Sequence, residues 1–187
     1  MKNIFIILGL ILTTSTSYGA PRQKSTTCSP TVEKENQHRS EMKHRSIPTG
    51  TIKPTLVSVT DMLNWDIPKN ARGEMSDPRE SQVFTVEGYV IHAKLAPDDC
   101  DVHMEIAATN DEKAPRVIVE IPNDKGFQEA QKIAVNSQGK KLAITGYPFW
   151  DSAHWSKADP KKGHNHGSAT VGTLWELHPA WKVELRQ

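Results

Sequence analysis

"RVIVEIPNDKGFQEAQKIAVNSQGKKLAITGYPFW" (Arg116 to Trp150) holds three elements in a row. Its first part alternates, with Val117, Val119 and Ile121 on one side and Arg116 and Glu120 on the other. That is the period-two pattern of a half-buried strand. Asn123 or Asp124 then offers a helix cap, and Phe127, Ala130, Ile133 and Ala134 recur at helical spacing. Gly139 is placed to end that helix. Lys141 to Trp150 returns to a strand pattern. A helix set between two strands decides the fold, because a β-sandwich has no need of one there.

Upstream lie two more strands. Val83 to Leu95 alternates around Phe84, Val86 and Val90, with Gly88 as a bend or bulge. Asp101 to Ala108 sets Val102, Met104 and Ile106 against Asp101, His103 and Glu105. "APDDCD" and "TNDEKAP" supply the turns. Downstream, Val171 to Leu185 is a long last strand. Three strands, a helix and two strands, with a bend in a long first strand, predict an all-β domain with one helix: a five-stranded OB-fold-like barrel. The domain spans 54–187. It opens with a short helix over Ser58 to Asp66, capped by Thr60 or Asp61, and a loop rich in Pro, Gly and charge.

The segments before residue 54 read differently. Residues 20–53 have few large apolar side chains and carry seven Lys/Arg against three Asp/Glu. They predict a disordered polar arm. Residues 1–19 have the layout of a secretory signal: Lys2, an apolar run from Ile4 to Leu12, then small residues at Ser17 and Gly19, with cleavage expected after Gly19. The apolar run is about half the ~20 residues a spanning helix needs, so no membrane span is expected once the signal is removed. A periplasmic or secreted location follows. Export permits Cys28 and Cys100 to pair, pinning the arm to the body; two separate thiols are the alternative.

Residues 54–187 carry fifteen Lys/Arg against nineteen Asp/Glu. An acidic body weighs against nucleic acid as a partner and suits a cation better. There is no H-E-x-x-H, no Gly-rich phosphate loop and no G-x-S-x-G, so none of those enzyme classes is indicated.

The last strand is unusual in its polar residues. Val171, Trp175, Leu177, Trp181, Val183 and Leu185 share the interior parity, while Glu176, His178, Lys182, Glu184 and Arg186 share the other. Pro179 interrupts pairing and suits an edge or bulge. In an OB barrel the second and third strands are neighbours and the fifth approaches the third. Asp101, His103, Glu120, Glu176 and His178 should then gather on one outer wall. The plainer account is that outward strand faces are polar because water is there. Asp151 and His154 follow the fourth strand, where loops commonly carry function. His164 and His166 form an H-x-H in a Gly/Lys-rich loop, which reads as solvated. His103, Asp151, His154 and His178 are the ligands expected for a zinc-like divalent ion. Glu120 or Glu176 is the candidate base if the site is hydrolytic.

The segments "DVHMEIA", "RVIVEIP", "GYPFWDSAHW" and "GTLWELHPAWKVEL" resemble a group of small secreted bacterial proteins. Their pattern is D-x-H in one strand, V/A-E-I/F-P in the next, F-D-x-x-H after the fourth and E-L/I-H-P near the C-terminus. The resemblance covers roughly Val83 to Leu185. It implies a shared site at Asp101, His103, Glu120, Asp151, His154, Glu176, His178 and Pro179. This chain departs in having Trp175 before the last motif and a longer His-bearing insertion at 156–169. The group carries no established activity, so the resemblance marks a site and names no task. The expected function is an exported barrel that binds a ligand, with a candidate metal, through an outward His/carboxylate patch. The alternatives are a metal-dependent hydrolase of phosphodiesters, and nucleic-acid or oligosaccharide binding by fold analogy alone.

Overall fold

A computed structural model describes residues 37–72, 77–97 and 99–187. Helix α1 spans Gln37–Lys43, strand β1 Thr55–Ser58 and helix α2 Val59–Leu63. The barrel strands are β2 (Phe84–Leu95), β3 (Val102–Ala107), β4 (Arg116–Ile121), β5 (Lys141–Trp150) and β6 (Val171–Leu185), with helix α3 (Gln128–Ala134) between β4 and β5. The sheet order is β1-β2-β3-β4-β6-β5, and β2 also pairs with β5. That last pairing closes five strands into a barrel. β4 and β6 run parallel; the other barrel pairs are antiparallel. This is the OB-fold arrangement expected from the element order.

The alternation that marked the strands also fills the barrel. Val102, Met104 and Ile106, then Val117, Val119 and Ile121, are all buried in one core with Leu142, Ile144, Trp175 and Leu177. Phe127, Ala130 and Ala134 put one side of α3 against that core. No side chain caps α3, so neither Asn123 nor Asp124 has the expected role; the helix starts later, after Phe127. Ser58, not Thr60 or Asp61, caps α2: its hydroxyl accepts from the Asp61 N–H, and the Asp61 carboxylate accepts from the Ser58 N–H. β1 went unforeseen because four residues are too short to show a period.

Two corrections bear on the site. Residues 37–53 do not form a loose arm. Arg39 is buried and donates to both oxygens of Glu80, at 2.7 and 3.2 Å, and to the carbonyl of Trp150. Its guanidinium lies 4.1 Å from the centre of the Phe149 ring. A polar segment can dock without a large apolar face when one buried ion pair and a cation–π contact hold it. Residues 20–36 and the signal-like segment lie outside the described residues. So does Cys28; Cys100 is buried and is not a free thiol.

The second correction concerns β6. The register against β5 slips on both sides of Gly146, so two β6 residues bulge. Ala180 is buried in the core, whereas Trp181 is only partly buried at the edge of the core and packs on Tyr147 with ring centres 5.0 Å apart. Pro179 sits at this bulge, beyond the last residue that β6 pairs with β4. Among the described residues, no helix is long and apolar enough to cross a membrane.

Candidate metal centre

Four β elements and one loop converge on the outer face of β3, β4 and β6. His103 and Glu120 are directly opposed across β3 and β4, and His103 Nδ1 lies 2.8 Å from Glu120 Oε1. Glu176 pairs with Ile118 on one side and Phe149 on the other, so it sits in the middle of the sheet. His178 follows it on the same face, with Nδ1 3.1 Å from Glu176 Oε1 and 3.2 Å from Glu120 Oε2. Asp101, just before β3, brings Oδ2 to 3.6 Å from His178 Nε2. That is an ion-pair distance and too long for a hydrogen bond, so Nε2 is left without one.

A second group meets Glu176 from the other side. Asp151 leaves the end of β5, fixed by its N–H to the Leu174 carbonyl at 3.0 Å. His154, in the short 3₁₀ turn Ser152–His154, hydrogen-bonds Asp151 Oδ2 through Nδ1. His166, from the loop between β5 and β6, places Nε2 3.3 Å from Asp151 Oδ2 and 3.4 Å from Glu176 Oε2. Asp151, His166 and Glu176 are each buried, and their ligand atoms lie within 4.8 Å of one another. Asp101, Glu120 and His178 satisfy the same criterion. Either trio could hold a metal ion.

The loop that carries His166 is held down by its neighbours. Glu105 accepts from the Ser168 N–H at 2.7 Å, from the Ser168 hydroxyl at 2.6 Å and from Arg116 at 2.8 Å. Burial would raise the Glu105 pKa, but these hydrogen bonds bring it below its usual value. Gly163 and Gly167 bracket His164 to His166 at φ +66° and +71°. A Cβ at Gly167 would come within 2.8 Å of Val171 and 3.1 Å of Glu105; one at Gly163 would collide with the His154 carbonyl. Only glycine lets this loop lie so close to the barrel.

The electrostatics follow from burying unlike groups together. Burial alone would lower the His178 pKa; Asp101, Glu176 and Glu120 override it and push the pKa up to about 10. Burial would raise Glu176, yet the two imidazoles hold it well below the usual carboxylate range. Burial likewise works against His103, but Glu120 keeps its pKa above the ordinary value. His154 is raised chiefly by its hydrogen bond to Asp151. Asp151 Oδ1 and His166 Nδ1 are buried without a hydrogen-bond partner. Buried polar atoms are normally satisfied, so each such group needs a reason.

The expected residues are thus brought together, but not as an outward patch. Glu176 and His178 are 2 % and 1 % exposed, and Asp101 and Asp151 are buried too. The insertion and α1 cover the strand face: His166 and Lys43 both line a cavity of about 560 Å³ with His103, Glu120, Asp151 and Glu176. Of the four expected ligands, Asp151 enters one trio and His178 the other. His154 and His103 each bond to a carboxylate of a trio and belong to neither. His166 was read as solvated and is buried, while its H-x-H partner His164 is exposed. The glycine on each side of the loop marks the segment that lies close to the barrel, but it flanks both histidines, and no local signal tells them apart.

No family model matches the sequence, and no curated protein matches it. Among solved structures, asparaginyl-tRNA synthetase of Entamoeba histolytica is similar over 62% of this chain and 22% of its own, at 15% identity and a TM-score of 0.37. Aspartyl-tRNA synthetase from Entamoeba histolytica is similar over 75% of this chain and 28% of its own, at 15% identity and a TM-score of 0.39. An OBody bound to hen egg-white lysozyme is similar over 61% of this chain and 90% of its own, at 12% identity and a TM-score of 0.39. The chain therefore spans less than a third of either synthetase. The barrel assignment rests on the strand pairing described above.

Proposed function

We propose that this chain is an exported barrel protein that binds a first-row divalent cation, zinc-like in its ligand preference, at Asp151, His166 and Glu176. One observation carries the reading: three buried ligand atoms of mixed imidazole and carboxylate type converge within 4.8 Å at the wall of an accessible cavity. Imidazole with carboxylate suits zinc and its first-row neighbours. The second layer also suits a metal. His154 bonds Asp151, and the Glu105–Ser168 contacts hold the His166 loop; such partners orient ligands and tune affinity. His154 also offers a second imidazole, and with it a fourth ligand, from the side nearest solvent. An acidic body and carboxylate-lined cavity favour a cation over a phosphate backbone as the partner.

Export is supported by the signal-like layout of residues 1–19 and by the absence of a free cysteine among the described residues. N-terminal sequencing of the secreted chain should begin at Ala20; recovery of the intact N-terminus from the cytoplasm removes the export reading. The binding reading is tested by calorimetry. Chelator-stripped protein should titrate with zinc, and its melting temperature should fall again on chelator addition. A flat titration with a melting temperature indifferent to both would end the proposal.

A further inference from the structure

Glu176 has two oxygens, and each faces a different histidine: Oε2 toward His166, Oε1 toward His178. Beyond Oε1 stands the second trio, Asp101, Glu120 and His178, which the proposed ion leaves unused. We infer that this trio holds a second divalent cation, with Glu176 as the carboxylate between the two ions. The inference rests on the reading above, since it takes Glu176 as a ligand of the first ion.

Three observations carry it. The first is spacing. His178 Nδ1 lies 3.1 Å from Glu176 and 3.2 Å from Glu120, Asp101 stands 3.6 Å from Nε2 on the other side of the ring, and one ligand atom from each of Asp101, Glu120 and His178 falls within 4.8 Å of the others. Ligands held about 2.1 Å from a common zinc-like ion stand roughly 3.0–3.5 Å from one another. The second is how the carboxylates are held. Asp101 Oδ1 accepts the Asn123 N–H at 2.9 Å, and Glu120 Oε1 is bonded to His103 at 2.8 Å. In each, the protein fixes one oxygen and the other is turned to His178. Outer partners orient metal-ligating carboxylates in this way. The third is an orphan. His178 is 1 % exposed, and its Nε2 faces Asp101 without a hydrogen bond. Three carboxylates crowd this one imidazole, an arrangement costly to bury unless positive charge accompanies it.

Glu176 joins the two sites as a shared carboxylate does in two-metal centres, where ions about 3.5–4 Å apart act on one substrate oxygen or phosphoryl group. The cavity opens on Glu120, Asp151 and Glu176, so a ligand entering it meets residues of both trios.

The test is stoichiometry. The full chain, stripped with chelator, reloaded with excess zinc and desalted, is measured for zinc per chain by mass spectrometry of the metal. Wild type should carry two. Glu120→Gln, at a partly exposed and isosteric position, should carry one, and His166→Ala should also carry one. Asp101→Asn replaces Glu120→Gln if circular dichroism shows that variant unfolded. Wild type with one ion, lost in His166→Ala, overturns the second site and leaves the first standing. Wild type with none overturns both. Two ions retained in Glu120→Gln and Asp101→Asn place the second ion elsewhere and overturn the assignment.

Discussion

Strand β6 carries two sets of outward residues with opposite fates. Near its middle, Glu176 and His178 are sealed from water and each engages several partners. Toward its end and just past it, Lys182, Glu184 and Arg186 stay at the surface. Lys182 meets Glu184 at 3.1 Å, and Arg186 meets Glu87 at 3.0 Å. Both sets fall on even positions of one strand, and two bulges between them restore the parity that one alone would have flipped. The difference is cover. Among the described residues, the 155–170 loop and α1 lie over the first set, while the second borders an open groove beside residues 48–54 and keeps its contact with water. Cover removes water, strengthens each charge interaction and forces the groups to satisfy one another. The same residue types are a metal centre in one place and ordinary surface in the other.

Several substitutions break or sharpen this contrast. The largest effect is expected at a ligand. Glu176→Gln should weaken zinc affinity by at least about 100-fold, more than loss of an outer partner usually costs. Glu184→Gln, eight residues further along the same strand, should leave affinity within about twofold. Equal losses at both positions, read by competition with a chelating dye, would erase the distinction.

The cover itself comes next. Arg39→Ala removes the charged partner of buried Glu80, which keeps the Asp77 and Trp150 N–H donors, and should destabilise the protein by about 3 kcal/mol. Lys182→Ala removes a surface pair and should cost under about 1 kcal/mol. Urea denaturation compares them; similar midpoints would show that α1 is not docked through Arg39.

The pH response should also differ. His178 has a folded pKa near 10, well above its unfolded value near 6.5. A raised folded pKa means its contribution is complete below pH 6.5 and is lost as pH climbs toward 10. Glu176, with a depressed pKa, contributes above about pH 4.5 and loses that contribution on acidification. Metal-free protein should therefore melt highest near pH 5–6.5 and progressively lower toward pH 10. Zinc competes for the imidazoles with protons, so the rise in melting temperature that zinc produces should grow from pH 6 to 8. A melting temperature independent of pH across that range would contradict the buried His–carboxylate network.

The smallest effect is expected at the loop. Gly167→Ala places a methyl group against Val171 and Glu105 and demands a left-handed backbone from alanine. His166 should shift outward and zinc affinity fall about 10-fold, with global stability lowered by about 1–2 kcal/mol. Gly50→Ala, also at positive φ but with open space around it, should cost stability alone.

The barrel was legible because alternation and helical spacing are local properties. Met104 and Val119 announce a buried face from their neighbours alone, and the helix at Gln128–Ala134 announces the topology. The gathering of His103, Glu120, Glu176 and His178 followed from that topology, since the third strand of an OB barrel touches the second and fifth. What lies over a face is a long-range property and leaves no period. His166 and Arg39 sit in polar, weakly patterned segments, and each is buried by partners far away in the chain: His166 by Asp151 and Glu176, Arg39 by Glu80. Parity tells which way a side chain points; only the assembled molecule tells whether water is there. Trp181 failed for a related reason, because a bulge is set by the register of two strands together.

The central claim concerns the position of an ion, and diffraction measures that directly. Crystals of the full chain grown with zinc should give an anomalous peak at the zinc absorption edge between Asp151, His166 and Glu176, about 2.0–2.2 Å from each ligand atom. A map with no such peak there, or with zinc bound only at exposed histidines such as His44, His92 and His164, would contradict it.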